Sequence, residues 1–148
     1  MGRIRRILYG SDFSKASGKA LTCAISMAKA NRARLTIVHA YASIVPMVPE
    51  QFIASTTWER VDTETRRWAE RQVAGLADKA KKHGVRASAV MLIGDPAQQI
   101  VRKARATRAD LIVVGTHGRR GLSKFFIGSV AERVIATAPC PVMTVRGH

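Results

Sequence analysis

The residues with the clearest capacity for chemistry lie in a glycine-rich segment that begins Gly115-Thr-His-Gly118 and ends Gly128-Ser129. Glycine has no Cβ, so Gly115 and Gly118 allow a ligand to approach the backbone closely. The segment contains no Gly-Lys-Ser/Thr, so it is not a Walker A loop, and it lacks the Gly-x-Gly-x-x-Gly pattern of dinucleotide-binding proteins. A phosphate-binding loop and an ordinary surface turn followed by a normal helix cap are both open interpretations.

The end of this segment predicts a helix N-terminus that suits an anion. Ser129-Val-Ala-Glu132 has the spacing of a capping box, which predicts that the Ser129 side chain caps the helix. The N–H groups of the first turn point outward at the positive end of the helix dipole, where phosphate binds favourably. Arg119, Arg120 and Lys124 add positive charge within the segment.

The same segment argues against a hydrolase. Activating water requires a general base, and holding Mg²⁺ usually requires a carboxylate, but residues 115–129 contain no Asp or Glu. His117 is the candidate base there, and Ser123 and Ser129 are candidate phosphate acceptors. We expect binding with slow or negligible turnover and assign no catalytic residue.

Hydrophobic periodicity predicts five strands that alternate with four helices. The predicted strands are residues 4–9, 35–41, 85–93, 110–115 and 141–145. The predicted helices are residues 14–31, capped by Ser14, residues 57–82, a helix that starts at Pro96 behind an Asp95 cap, and residues 129–136. The second helix is predicted to bury Trp58, Val61, Thr65, Trp68, Val73, Leu76 and Ala80.

This alternation predicts an α/β fold, a parallel sheet with helices on both faces. Leu111 to Val114 is uniformly apolar, as a strand buried on both faces requires. In such sheets ligands bind beyond the carboxyl ends of the strands, where the strand order reverses. The candidate site is therefore formed by residues 10–12, 38–41 and 115 onward.

Composition limits the other possibilities. The chain has 148 residues, which we interpret as one domain over residues 1–148. Cys23 and Cys140 form neither a disulfide framework nor a zinc motif. No apolar run is long enough for a membrane span, and the first residues lack a signal-peptide core, so we expect a cytoplasmic protein with no membrane partner.

The net charge is the unusual number: 25 Lys and Arg against 10 Asp and Glu give +15. Such an excess raises the possibility of nucleic-acid binding. However, aromatic residues make up only 5%, few for a protein that stacks bases. Weak, salt-sensitive contact with nucleic acid is what the charge alone predicts.

Gly115-x2-Gly118-x9-Gly128-Ser129 resembles the nucleotide-binding motif of the universal stress protein family, in its ATP-binding type. The similarity covers nearly the whole chain, including Ile-Leu-Tyr-Gly-Ser-Asp12 near the start, the Gly94-Asp-Pro turn and Ala-Pro-Cys-Pro-Val142 near the end. It implies a five-stranded parallel sheet of the Rossmann-like adenine nucleotide alpha hydrolase type. It also implies a bound adenine nucleotide and a homodimer that pairs through the last strand, Val142 to Val145.

The resemblance assigns roles to particular positions. Asp12 would contact the ribose, and the backbone of Val38 would read the adenine edge. Val114 and Gly115 would flank the sugar and base. The phosphates would lie against Gly118, Gly128, Ser129 and Val130. The family varies at the position of His117, so a phosphate contact there is our own prediction and not one that the resemblance implies. Gly10 stands where relatives often have proline, so its contact with the ligand is the least secured by the resemblance.

The leading hypothesis is an ATP-binding, dimeric regulator or sensor in the stress response, with ATP or another adenine nucleotide and Mg²⁺ as cofactors. The metal has no assigned protein ligand. A slow ATPase or autophosphorylating protein is one alternative. A nucleic-acid-associated protein that works through its basic surface is the other.

Overall fold

The computed structural model describes residues 2–42, 55–117 and 127–147. Within these ranges five strands alternate with four helices, as the periodicity predicts. The strands are β1 (Arg6–Gly10), β2 (Arg34–Tyr41), β3 (Arg86–Ile93), β4 (Leu111–Gly115) and β5 (Val142–Val145). The helices are α1 (Lys15–Asn31), α2 (Ser55–Lys82), α3 (Pro96–Thr107) and α4 (Ser129–Thr137).

All strand pairs in this sheet are parallel, in the order β3-β2-β1-β4-β5. The chain moves outward from β1 to β3 and then returns through α3 to place β4 on the other side of β1. The order therefore reverses between β1 and β4. A crevice forms there at the carboxyl ends of the strands, because the loops after β1 and β4 lead to opposite faces.

Alternating side chains on the strands build a core on each face of the sheet. On one face Ile7, Tyr9 and Val113 pack against α1 and α2. On the other face Leu8, Ile112 and the neighbouring strand residues pack against α3 and α4. The predicted α/β fold with helices on both faces is confirmed.

The helix starts follow local chemistry. Ser14 caps α1 by accepting a hydrogen bond from the N–H of Ser17, and Asp95 caps α3 by accepting from the N–H of Gln98. Pro96 occupies the first turn of α3, where its missing N–H leaves no hydrogen bond unmade. These three predictions are confirmed.

The predicted inner face of α2 is wrong in its first half. Val61 and Trp68 are 41% and 40% exposed, and Thr65 is also exposed, whereas Val73 and Ala80 are buried as predicted. Ala69 and Ala77 complete the buried stripe. A helix of 28 residues is about 42 Å long, whereas an eight-residue strand spans about 27 Å, so part of α2 extends past the sheet.

Candidate functional site

A cavity of about 270 Å³ lies at the carboxyl ends of β1 and β4, at the reversal of strand order. It brings together seven of the residues predicted for the site: Gly10, Asp12, Val114, Gly115, Gly128, Ser129 and Val130. Three separate segments supply them, namely the end of β1, the end of β4 and the start of α4. The sheet topology therefore converts three distant sequence motifs into one concave surface.

Two other predicted residues stand outside the cavity lining. Val38 is fully buried, and its carbonyl oxygen accepts a hydrogen bond from the N–H of Ser11 at 2.8 Å. The Thr116 hydroxyl lies 2.8 Å from Nδ1 of His117, and the His117 carbonyl accepts from Ser14 Oγ at 3.3 Å. The predicted roles of Val38 and His117 stay predictions.

The remaining predicted elements of the glycine segment lie outside the described residues. These are Gly118, Ser123 and the three cations Arg119, Arg120 and Lys124.

The turn after β1 holds Asp12 at the cavity. Its Oδ1 accepts a hydrogen bond from the N–H of Ser14 at 2.9 Å, and Ser11 Oγ accepts from the N–H of Phe13 at 3.1 Å. Phe13 has a φ of 62°, a left-handed conformation that these side-chain bonds help to hold. Among the described residues, no hydrogen bond involves the second carboxylate oxygen of Asp12, so it can accept from a ligand.

A buried hydroxyl network supports this turn from below. The Tyr9 hydroxyl donates to the carbonyl oxygen of Ser17 at 2.7 Å and lies 2.9 Å from Ser17 Oγ. Ser17 Oγ donates to Ser11 Oγ at 3.2 Å and accepts from the N–H of Asp12 at 3.3 Å. Burial raises the pKa of the Tyr9 phenol, so it stays a neutral donor. Ser11 lies within the predicted stretch 10–12, whereas Ser17 was absent from the predicted site because its partners become neighbours only when α1 packs on the sheet.

His39 is a second lining residue that was not predicted individually. Its Nδ1 lies 2.8 Å from the Ser11 carbonyl, which can only accept, so Nδ1 carries the proton. The ring lies against Phe13, with centroids 4.3 Å apart. In the neutral ring Nε2 is therefore the free acceptor position. Its place on β2, one residue beyond Val38, is the signal that could have found it.

Two glycines at the cavity are closely packed, Gly10 against the end of a flexible side chain and Gly115 against backbone. A Cβ on Gly10 would lie 2.8 Å from Cδ1 of Ile100. A Cβ on Gly115 would lie 3.0 Å from backbone atoms of Ala16 and Ser17. The missing Cβ of Gly115 thus admits α1 rather than a ligand, which corrects the reason given for this glycine above.

The start of α4 is fixed by a bond to the end of β4. The N–H of Gly128 donates to the carbonyl oxygen of Thr116 at 2.5 Å, and Gly128 is the N-cap, with no side-chain hydrogen bond to the cap. The predicted capping box is therefore wrong: Ser129 is the first helical residue, one position too late for its hydroxyl to cap the helix. Helix geometry leaves the first N–H groups of α4 without intrahelical acceptors.

An ion pair joins α3 to α4 beside the cavity. The guanidinium of Arg133 donates to both oxygens of Asp95 at 2.9 Å. The hydrogen bond from Arg133, with the backbone bond from Gln98, lowers the pKa of Asp95, and Asp95 in turn raises the pKa of Arg133. Both side chains are substantially exposed, so the pair orients the helices more than it stabilises them.

Residues 2–42, 55–117 and 127–147 contain no cluster of three or more His, Cys, Asp or Glu side chains arranged to hold a metal ion. None of the helices in those ranges is long and apolar enough to cross a membrane.

The fold and the cavity define an α/β protein with a cavity at a topological switch point. The model of the universal stress protein family matches residues 3–146. A universal stress protein of Thermus aquaticus is 36% identical over 143 residues, 96% of this chain and 98% of the relative. The universal stress protein YxiE of Bacillus subtilis is 32% identical over 150 residues, 95% and 98% of the two chains. The chain belongs to the universal stress protein family.

Solved structures agree on the fold. The protein MJ0577 superposes with a TM-score of 0.83 at 23% identity, over 98% of this chain and 97% of its own. A universal stress protein in complex with cAMP gives 0.71 at 23% identity, covering 99% and 100%. A universal stress protein from Archaeoglobus fulgidus in complex with dAMP gives 0.67 at 20% identity, covering 98% and 99%.

Proposed function

We propose that this chain binds an adenine nucleotide in the cavity between β1 and β4. The observation that carries the proposal is that Asp12 and the first turn of α4 line the same cavity. A carboxylate suits the ribose hydroxyls as an acceptor, and a helix N-terminus whose cap has no side chain suits phosphate oxygens. The described complexes of relatives with cAMP and dAMP support this ligand class.

The walls of the cavity suit the rest of such a ligand. Pro96, Ile100, Val114 and Val130 line it with apolar surface, which fits an adenine ring or the carbon face of a sugar. We propose ATP with Mg²⁺ as the ligand. Asp12 is the one carboxylate among the described lining residues, so the ion would be held chiefly by the phosphates.

The decisive first experiment identifies what the protein carries. Protein purified without added nucleotide is heat-denatured, and the released small molecules are identified by mass. A stoichiometric adenine nucleotide is the expected result. If no nucleotide is released and calorimetry detects no ATP binding, the proposal is wrong.

Two substitutions test the geometry. Asp12→Asn keeps an oxygen for the N–H of Ser14 but removes the charge, so ATP affinity should fall by at least about tenfold with the fold intact. Gly128→Ala adds a methyl at the helix start without backbone strain, because its φ is −61°. It should also weaken ATP binding, whereas Gly75→Ala, whose Cβ meets nothing within 4 Å, is the matched control. Unchanged ATP affinity in both site variants would overturn the assignment.

We also propose that the protein acts as a dimeric regulator that pairs through β5. This strand is an edge of the sheet, and an uncovered apolar edge invites pairing with another copy. The carbonyls of Pro141 and Val145 accept from β4, so the alternate N–H of Thr144 faces away from the sheet. Nucleotide binding would then shift the equilibrium between dimer or loop conformations that differ in affinity.

Thr144→Pro tests the pairing, because proline removes an outward N–H and leaves the bonds to β4 in place. Light scattering should show a dimer for the native chain and a monomer for the variant. Calorimetry with ATP reports whether the variant is folded. A dimer that persists in a folded Thr144→Pro protein would exclude this interface.

A further inference from the structure

Three arginines lie side by side where β1, β2 and β3 begin, at the amino ends of the strands. The cavity lies at the other end of the sheet, beyond the carboxyl ends. The strand register pairs Arg6 of β1 with Arg34 of β2, and Arg34 with Arg86 of β3. Neighbouring strands are about 4.8 Å apart, so the three residues form a row about 10 Å long. All three are exposed.

These residues line an open groove of about 560 Å³. Arg3, Arg5 and Arg32 extend the row, so six guanidinium groups surround the groove, and none of the described lining residues is acidic. Asp110 accepts from the backbone N–H groups of Arg5 and Arg6 at 2.9 Å and lies 3.7 Å from the Arg6 guanidinium. In the described part of the chain, Arg34 and Arg86 have no carboxylate within ion-pair distance.

The isolated chain explains this row only in part: Arg6 lies beside Asp110, and the Arg86 guanidinium donates to the carbonyl oxygen of Arg32 at 3.2 Å. Like charges directly opposite each other on neighbouring strands destabilise a sheet. The C-terminal end of α1 favours a nearby cation, which accounts for Arg32 at its C-cap. No contact among the described residues offsets the repulsion between the Arg34 guanidinium and those of Arg6 and Arg86 on either side. An anion with several charged groups in a row would turn this repulsion into binding energy.

We propose that this arginine groove binds a chain of phosphate groups. Guanidinium groups form paired, charge-assisted hydrogen bonds with phosphate oxygens, and a row of them matches a linear series of phosphates. No aromatic side chain is among the described lining residues, so the groove offers bases no aromatic surface for stacking. The groove therefore recognises the phosphate chain itself, whether inorganic polyphosphate or the backbone of a single-stranded nucleic acid.

The test compares variants of equal net charge. Binding of inorganic polyphosphate and of single-stranded oligothymidylate is measured by calorimetry at physiological salt. The double variant Arg34→Gln/Arg86→Gln should lose at least about tenfold in affinity for the phosphate chain. The control Arg67→Gln/Arg71→Gln removes two exposed charges from α2 and should change affinity by no more than about twofold.

Each result bears on the proposal. Binding of polyphosphate supports the groove with the phosphate chain alone as ligand, and binding of oligothymidylate only supports it with nucleic acid as the source. Equal loss in both double variants would reduce the interaction to net charge and overturn the proposal, as would no binding of either probe. Strong preference among oligonucleotide sequences would also overturn it. ATP binding, measured in parallel, should be unchanged in both variants, which separates this site from the nucleotide cavity.

Discussion

The backbone N–H of Gly128 donates to the carbonyl oxygen of Thr116 at 2.5 Å, and this bond joins the start of α4 to the end of β4. Thr116 is itself buried, and its N–H donates to the carbonyl of Val145 on β5 at 2.9 Å. The helix N-terminus is thus tied to the sheet through backbone bonds. Its position does not depend on the capping side chain that the sequence suggests.

Ser14 and Ser129 were both predicted as helix caps, but they should differ in what their substitution does to stability. Ser14→Ala should lower the free energy of unfolding by about 1 kcal/mol, because Ser14 caps α1. Ser129→Ala should change it by less than about 0.5 kcal/mol, because Ser129 is not the N-cap of α4. Urea unfolding of the nucleotide-free proteins measures both values. Equal losses of unfolding free energy in the two variants would contradict this assignment and indicate that Ser129 caps α4.

Gly115 should resist substitution for a reason of packing. The new Cβ of Gly115→Ala would meet backbone atoms of α1 at 3.0 Å, and backbone cannot rotate away as a side chain can. We expect a loss of about 1–3 kcal/mol in urea unfolding. Gly75→Ala, in the middle of α2 with open space around it, should instead gain about 0.5–1 kcal/mol. A neutral Gly115→Ala would show that α1 does not approach this closely.

The ion pair between Asp95 and Arg133 predicts a pH dependence of stability. The pKa of Asp95 lies below its ordinary value of 3.8, so the pair contributes stability above that pH and loses it as pH falls through the lower, folded-state pKa. Arg133→Gln should therefore lower stability slightly at neutral pH and reduce the further loss on acidification to about pH 3. Arg102→Gln, an exposed change on α3, is the control. An unchanged pH profile for Arg133→Gln would exclude this contribution.

The two tyrosines predict a late alkaline titration. Burial raises the pKa of Tyr9, and burial followed by the hydrogen bond to Asp62 raises that of Tyr41 to about 12. The chain has two tyrosines, so near-ultraviolet absorbance at pH 10 should show less tyrosinate in the folded than in the unfolded protein. Because both pKa values are raised on folding, the stability from these neutral phenols is present below pH 10 and is lost at higher pH. One normally titrating tyrosine in the native protein would contradict this.

Much of the fold follows from short-range patterns. The apolar run at Leu111 to Val114 and the Asp95-Pro96 helix start are written in consecutive residues, and both predictions are confirmed. The first half of α2 was mispredicted because a helical stripe of apolar residues shows which face is apolar, not how far the sheet beneath it extends. Trp68 belongs to that stripe and is 40% exposed.

The candidate site divides in the same way. Asp12, Gly128 and Ser129 could be predicted because they lie in recognisable motifs at strand and helix ends. Ser17 could not, because its partners are brought close by the packing of α1. His39 lies within the predicted stretch 38–41, but its bond to Ser11 depends on the order of β1 and β2. The packing role of Gly115 could not be predicted either. The backbone atoms that its Cβ would meet belong to a helix about one hundred residues earlier in the chain.

By itself the sequence determined the alternation of strands and helices, the family resemblance and the motifs at the ends of those elements, because each depends on neighbouring residues. Only the tertiary structure decided that β4 lies beside β1, which creates the cavity, and that Arg6, Arg34 and Arg86 stand in one row. Strand order and register arise from long-range packing, and no local pattern of charges reveals which of them meet. The sequence gives the net charge of +15, and the fold shows that six of the 25 basic residues surround one groove.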